Sequence, residues 1–455
     1  MYKIAQNIKI LFIASATSAM ISSCQSSFYA STYSFNQQYE QRNYDAAITE
    51  LNNTKLLKKR KRNLVLYYLN YATLLQLKGD YNNSITYFNL ADHLIAENNS
   101  LTFTDAALAI ATNSMKTTYH TESFEQIMLH YYQALNYISI NNYEDAIVEC
   151  KKINEELEKL DDYRKDNGKH YTHDAFGHYI MGILYETIGD NNNAFIAYRN
   201  ALNIYDGDYT TLYSTPAPAS LKTAAIRTAY ATGFKQDAQE FEKKYNTIYK
   251  ANNNTGHLIV LIEDGNSPVK TEHLFNFTKG SGNGVLTYAS DDGSINVPVF
   301  LPQKSAQDAS LSDIKTITMT LPKYTLRTKQ LPSSNYNIDG RIYMASTVEN
   351  LNKIAPQSLK DRYWRELGTA ILRVGAKQAL SSAVSKQNEL AGLAISVTQA
   401  FSEKADTRNW QTLPACIRII DIEIEAGTHT ITLPQGKNIS VSVEKGKTAF
   451  LTIKN

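Results

Sequence analysis

The amino-acid sequence predicts an α+β multidomain chain: an N-terminal array of α-helical repeats, then a mostly antiparallel β domain with an inserted helical block. Three observations carry that expectation. A short turn phrase recurs five times between residues 43 and 238, inside sequence of helical period. Alternating, strand-like runs dominate from residue 256 onward. A helix-like stretch rich in small residues separates the earlier strands from the last four. At 455 residues the chain is long enough for two or three domains with their own cores.

In chain order, Lys3 and Lys9 precede an apolar, small-residue run from Ile10 to Met20, which ends in Ile21-Ser22-Ser23-Cys24. This predicts a signal peptide over residues 1–23, too short to span a bilayer as a permanent helix. The mature chain is then expected to start at Cys24, with residues 24–31 as a tether. The spacing resembles bacterial lipoprotein signals, whose cysteine thiol receives diacylglycerol and whose new amino terminus takes a further acyl chain such as palmitate. Each buried methylene contributes about 0.8 kcal/mol, so two or three chains hold a protein on a membrane durably. The competing reading is an ordinary cleaved signal in which Cys24 is incidental. Gln25, standing where an aspartate would retain a lipoprotein in the inner membrane, points to the outer membrane, facing the periplasm.

Residues 32–250 carry the repeats. The phrase reads Asn43-Tyr44-Asp45-Ala46-Ala47-Ile48, Gly79-Asp80-Tyr81-Asn82-Asn83-Ser84-Ile85 and Asn141-Asn142-Tyr143-Glu144-Asp145-Ala146-Ile147. It returns as Gly189-Asp190-Asn191-Asn192-Asn193-Ala194-Phe195 and, faintly, as Gly233-Phe234-Lys235-Gln236-Asp237-Ala238. Around the fourth copy, Gly182, Tyr185, Ala194, Tyr198 and Ala201 occupy the small and aromatic positions of a tetratricopeptide (TPR-like) helix pair. Ala72, Leu75, Ser84, Phe88 and Ala91 do so around the second, and Ala134, Tyr137, Ala146 and Ile153 around the third. Spacings are irregular and mostly exceed the ~34 residues of a regular repeat, with insertions at 98–119 and 163–173 taking up the excess. The alternative is an irregular helical bundle. Stacked helix pairs form a concave face, and such faces generally bind peptides or protein segments.

The polar stretch Ala251–Gly256 reads as a linker into a β-rich domain over 256–455. Strands are expected at 256–265, 295–301, 314–321 and 341–348. Four more, at 417–424, 428–433, 439–443 and 448–453, predict an antiparallel meander or small sandwich. Residues 359–404 form the helical block, with Leu390, Leu393, Ala394, Val397 and Phe401 on one face. A membrane-inserting hairpin is the sharper reading of that block, and Arg373, Lys377, Lys386 and Glu389 argue against it.

Composition excludes several functions. With 46 basic and 44 acidic side chains there is no general drive toward nucleic acid. Of three cysteines, Cys150 and Cys416 remain after Cys24; two buried free thiols and one long-range disulfide are both open. The 31 tyrosines suit helices that pack through large rings with a wet tip. His170, His173 and His178, with Asp174 nearby, have spacings that reach one metal in principle, but an incidental cluster is expected. Glu125, His130 and Tyr132 on one helix, with His178 on a later one, suggest either an acid/base group or buried hydrogen-bonding links between helices. Gly280-Ser281-Gly282-Asn283-Gly284 lacks the lysine-serine ending of a nucleotide loop and reads as a turn. No zinc-protease helix, cysteine-pair site or hydrolase serine elbow is present, so no cofactor, metal, catalytic residue or small-molecule substrate is expected.

Several phrases together resemble a family of bacterial TPR-like lipoproteins of uncharacterised activity that end in an ADTRxWxTLP-containing C-terminal domain. They are Glu125 to Tyr137, His178-Tyr179 with Gly182 and Tyr185, Leu258 to Glu263, and Ala405-Asp406-Thr407-Arg408-Asn409-Trp410-Gln411-Thr412-Leu413-Pro414. That family looks like a neighbour of lipoproteins that activate cell-wall synthases, which implies a part in envelope assembly. The last phrase is either a structural clasp, with Arg408 paired to Asp406 and Trp410 covering the sheet, or a partner-docking patch, since Trp and Arg are frequent interface anchors. The resulting expectation is a lipid-anchored scaffold binding an envelope protein. The alternatives are an enzyme acting on cell-wall glycan through Glu125, His130 and His178, and a secretion or pore component using the helical block.

Overall fold

The computed structural model describes residues 27–100, 117–163, 174–252, 254–280, 286–290, 296–299, 316–360 and 405–455. Cys24, His170, His173, most of the two insertions and all but the start of the block at 359–404 lie outside them.

Five helix pairs follow one another: α1 (Tyr33–Glu40) with α2 (Tyr44–Asn53), α3 (Leu64–Leu77) with α4 (Tyr81–Ser100), and α5 (Ser123–Ser139) with α6 (Tyr143–Tyr163). The fourth is α7 (Ala175–Thr187) with α8 (Asn191–Ile204), the fifth α9 (Ala219–Ala231) with α10 (Lys235–Tyr245). The recurring phrase sits at each inner turn, and its chemistry makes the turn. Arg42, Gly79, Asn141, Gly189 and Gly233 all take positive φ, the conformation that ends a helix. The next residue then donates its N–H back to the first helix: Asn43 to Gln38 O, Asp80 to Leu75 O, Asn142 to Tyr137 O, Asp190 to Tyr185 O and Phe234 to Ala229 O, all at 2.8–2.9 Å. Asn142 and Asp190 also cap the second helix, accepting from the N–H of Asp145 and Asn193 at 3.2 and 3.1 Å.

The residue five places after each left-handed one is small and buried: Ala47, Ser84, Ala146, Ala194 and Ala238. A small side chain there lets the two helices of a pair pack together. At Gly182 the approach is close enough that a Cβ there would overlap the Tyr198 ring.

Twelve strands are described. The first sheet has the order β12 (Thr448–Lys454), β1 (Thr255–Asp264), β9 (Cys416–Glu425), β8 (Ser346–Glu349). The second runs β11 (Asn438–Val443), β10 (Gly427–Thr432), β6 (Asn335–Ile338), β7 (Arg341–Met344). The third runs β4 (Asn296–Val299), β3 (Leu286–Ser290), β2 (Val269–Gly280), β5 (Thr316–Thr325). The last four strands therefore form no continuous meander. β9 and β12 flank β1 in the first sheet, β12 in parallel, whereas β10 and β11 belong to the second.

The first sheet is a middle layer, which explains why β1 reads as one unbroken apolar run. Leu258, Val260 and Ile262 pack with Tyr336, Ile338, Ile431 and Val443 of the second sheet. Ile259 and Leu261 face the other way and join the helical core. A strand covered on both faces needs apolar side chains at every position. Helix and sheet are thus fused through one core that runs from Phe28 to Ile419. Cys150 and Cys416 are both buried free thiols, and burial pushes the Cys416 thiol up to about 12. No described helix is long and apolar enough to cross a membrane.

Candidate functional site

The inner face of the helical array, where a repeat protein would receive a peptide, is occupied by the chain itself. Residues 405–415 have no helix or strand pairing of their own beyond a turn, yet nearly all are buried. An extended segment inside a protein must find partners for its backbone and polar side chains, and the first three helix pairs supply them. Arg408, 0 % exposed, chelates Asp406 through Nε to Oδ1 at 2.8 Å and Nη2 to Oδ2 at 2.5 Å. Its Nη1 donates to Asn63 Oδ1 at 2.9 Å and to the Thr117 carbonyl at 3.0 Å, and its plane lies over the Tyr119 ring. Burial alone would raise the Asp406 pKa, but the Arg408 guanidinium outweighs it and holds the carboxyl below its ordinary range.

Trp410, also 0 % exposed, has its ring 5.9 Å from Phe88 and 5.6 Å from Tyr132, so it covers the helices of the second and third pairs. Its Nε1 donates to Thr412 Oγ1 at 2.8 Å and its backbone N–H to Glu125 Oε1 at 2.7 Å. Gln411 accepts from Asn36 Nδ2 at 2.7 Å and from Thr32 Oγ1 at 2.8 Å, and the Thr412 carbonyl accepts from Tyr39 Oη at 2.6 Å. The phrase is therefore a clasp. It does not have the exposure of a docking patch, and Trp410 closes over the array where coverage of the sheet was expected. The clasp reaches the start of the chain too: the Phe28 N–H donates to Thr407 Oγ1 at 2.9 Å, so the stretch read as a tether to residue 31 meets the folded body at Phe28.

The suggested acid/base group is not assembled. Glu125, in the first turn of α5, accepts from Tyr119 Oη, from the Glu122 N–H at 2.9 Å and from Trp410. Its pKa is raised by burial first and by Glu122 beside it, with Lys270 opposing. His130 lies on the same helix but pairs elsewhere, Nδ1 to Glu149 Oε2 at 2.8 Å. Tyr132 donates to Glu263 Oε2 at 3.1 Å, tying α5 to β1. His178 stands near the start of α7, whose N-cap Asp174 accepts from the Gly177 N–H at 2.5 Å, and Tyr185 ends the same helix against the core. Among the described residues no three His, Cys, Asp or Glu side chains are grouped to hold a metal.

A second polar seam lies at the far end of the array, and sequence reasoning missed it. Asp421, on the helix-facing side of β9, pairs with His257 Nε2 and accepts from Tyr179 Oη. Tyr179 Oη is also 2.8 Å from Ser220 Oγ. Arg227 grips Glu186 through Nε and Nη2 at 2.6 and 2.9 Å and reaches Glu423 through Nη1 at 2.9 Å. An open cleft of about 390 Å³ borders this seam, lined by Ser220, Thr223, Arg227, Tyr249, Asp421 and Glu423 among others. Burial would lower the His257 pKa, yet Asp421 raises it on balance; burial would raise that of Asp421, yet His257 lowers it. The one visible signal was the polar alternation Asp421, Glu423, Glu425 in an otherwise isoleucine-rich strand.

No protein-family model and no curated protein sequence matches the chain. Among solved structures it is similar to the apo form of RapI, at 14% identity and TM-score 0.35 over 48% of this chain and 52% of that one. It is similar also to MamA protein, at 14% and 0.28 over 49% and 96%, and to a Podosopora anserina kinesin light chain with nearly identical TPR-like repeats, at 12% and 0.30 over 48% and 93%. The chain spans about half the length of RapI. These likenesses concern helical repeats over about half of this chain, and at such superpositions they carry no argument about what it binds.

Proposed function

We propose that this protein is a lipid-anchored scaffold of the bacterial cell envelope, fastened through acyl chains on Cys24 and holding a protein partner on the outer side of its helical array, in cell-wall or envelope assembly. The observation that carries the reading is a departure from the repeat pattern. At two equivalent outward positions the third and fourth pairs place Ile140 and Val148, then Ile188 and Ile196, each between 37 and 47 % exposed. The second and fifth pairs have Lys78 and Thr86, Thr232 and Glu240 there. With the inner face of the first three pairs filled by residues 405–415 and the fourth and fifth pairs set against β8 and β9, this aliphatic row is an apolar surface that the described repeats leave exposed. Glu144, Asp145 and Asp190 lie at its turn end and Lys151 and Arg199 at the other. The segment that fits is aliphatic at its centre, basic at one end and acidic at the other. The short link to Cys24 supports the anchor: four residue steps to buried Phe28 span at most about 14 Å, so the body would sit close to the bilayer.

Two measurements test this. Cys24→Ser should release the chain from membranes; continued partitioning would overturn the anchor. A photocrosslinker at Val148 or Ile196 in intact cells should capture one defined envelope protein that the same probe at Thr86 or Glu240 does not. Equal capture at all four sites would remove the row as a docking surface. A second reading, an envelope enzyme acting on glycan, finds its foothold in the cleft beside Asp421 and Glu423, where two carboxylates two residues apart on one strand share an opening with hydroxyl groups. Its check is glycan hydrolysis that Glu423→Gln abolishes.

A further inference from the structure

We infer that β7 is a self-pairing edge, through which two copies of this chain join their second sheets across a twofold axis. Natural sheet edges are usually blunted by proline, charge or cover, and the neighbouring edges here follow that rule. β4 carries Pro298, β5 carries Pro322 and Lys323, β11 shows Asn438, Ser440 and Ser442 to solvent between Lys437 and Lys445, and β8 has no exposed residue and ends in buried Val348 and Glu349. β7 carries one charge, Arg341 at its turn end, and among the described residues no proline and no cover. It shows Ile342 and Met344, 72 and 71 % exposed, more than almost any other large apolar side chain described.

The backbone of β7 is ready for a partner strand. β6 and β7 form a two-residue hairpin around Asp339 and Gly340, both at positive φ, with Ile338 opposite Arg341. In such a hairpin the closing pair exchanges hydrogen bonds and the next pair does not. Arg341 and Tyr343 therefore spend their backbone groups on β6, and those of Ile342 and Met344 point outward. The Ala345 N–H bond to Ser334 O at 2.8 Å continues the same alternation.

The occupant follows from self-complementarity. In an antiparallel pair centred on Tyr343, Ile342 faces Met344 of the second copy and Met344 faces its Ile342, so four hydrogen bonds form and four exposed apolar side chains gather on one face. Arg341 falls opposite Ala345, so no like charges meet. The four-stranded sheet becomes an eight-stranded one. This inference is independent of the lipid anchor and of the aliphatic row on the repeats.

The test uses the chain from residue 24 onward carrying Cys24→Ser. Sedimentation should show a concentration-dependent dimer below about 100 µM, and Ile342→Lys combined with Met344→Lys should abolish it without changing the melting temperature. Mixing Ile342→Cys with Met344→Cys chains under mild oxidation should form a disulfide about tenfold faster than either variant alone, because only the mixed pair is directly opposed. A strictly monomeric chain, a dimer that survives the double lysine variant, or a cysteine at 342 that in cells joins a different protein in place of a second copy would each overturn the inference.

Discussion

Two of the seams that fasten the array to its sheets differ in chemistry. At the first three helix pairs the fastener is residues 405–415, a seam in which Trp410 and Arg408 are fully enclosed and bonded to Glu125, Asn63 and Asp406. At the last two pairs it is the rim of an open cleft, where Asp421 meets His257 and Tyr179, and Arg227 meets Glu186 and Glu423. The first seam gains from burial and costs heavily when one member is removed. The second includes His257, a group whose charge changes near neutral pH, so its strength depends on pH.

The largest expected effect breaks the first seam. Trp410→Ala removes a ring enclosed by Phe88 and Tyr132 and should cost about 3–5 kcal/mol, the range for large-to-small aromatic changes in a core. Urea unfolding of the full chain would measure it, and a loss below about 1 kcal/mol would show that the seam is not what holds the halves together. The loss should be nearly the same from pH 6 to pH 9.

His257→Gln sharpens the contrast. The folded-state pKa of His257 is raised by Asp421, so its contribution is fully present below the ordinary histidine value and disappears as pH rises through the raised one. Asp421 has a lowered pKa, so its share is present above the ordinary aspartate value and disappears only as pH falls through the lowered one. The pair is strongest between those limits. His257→Gln should cost about 1.5–3 kcal/mol near pH 6, the range of hydrogen bonds to charged groups, and progressively less toward pH 9. A penalty constant across that range would mean that the pair is not ionised as described.

The smallest effect should not distinguish the two ends. Gly79→Ala and Gly233→Ala each place a side chain at positive φ with open space around the Cβ, so each should cost about 1 kcal/mol through backbone strain alone. Thermal melts of the two variants should agree; a much larger loss at one end would reveal a role for that turn beyond chain reversal.

The helix pairs were legible because their signal is local. A left-handed residue, a cap and a small residue five places on lie within one short window, and Asn43, Asp80, Asn142, Asp190 and Phe234 fill the same role in each turn. The apolar run of β1 was legible for the same reason. β2 and β3 were not, because strands such as Val269–Gly280 mix Lys, Thr, Glu and His with their apolar residues. Among site residues, the Asp406–Arg408 pair was readable from its two-residue spacing. For Glu125 and His130 buried links were one of two readings, and their partners Trp410 and Glu149 were not legible, since nothing in α5 says what will face it.

The sequence by itself determined the α+β class, the number of helix turns and the residues that make them, because hydrophobic period and turn chemistry act over a few neighbouring residues. Only the tertiary structure decided that the array encloses its own C-terminal segment, that β12 pairs in parallel with β1, and that Asp421 meets His257. Those outcomes join residues as much as 379 positions apart. They depend on which buried polar groups can satisfy one another, a matching of surfaces that no local stretch of chain encodes.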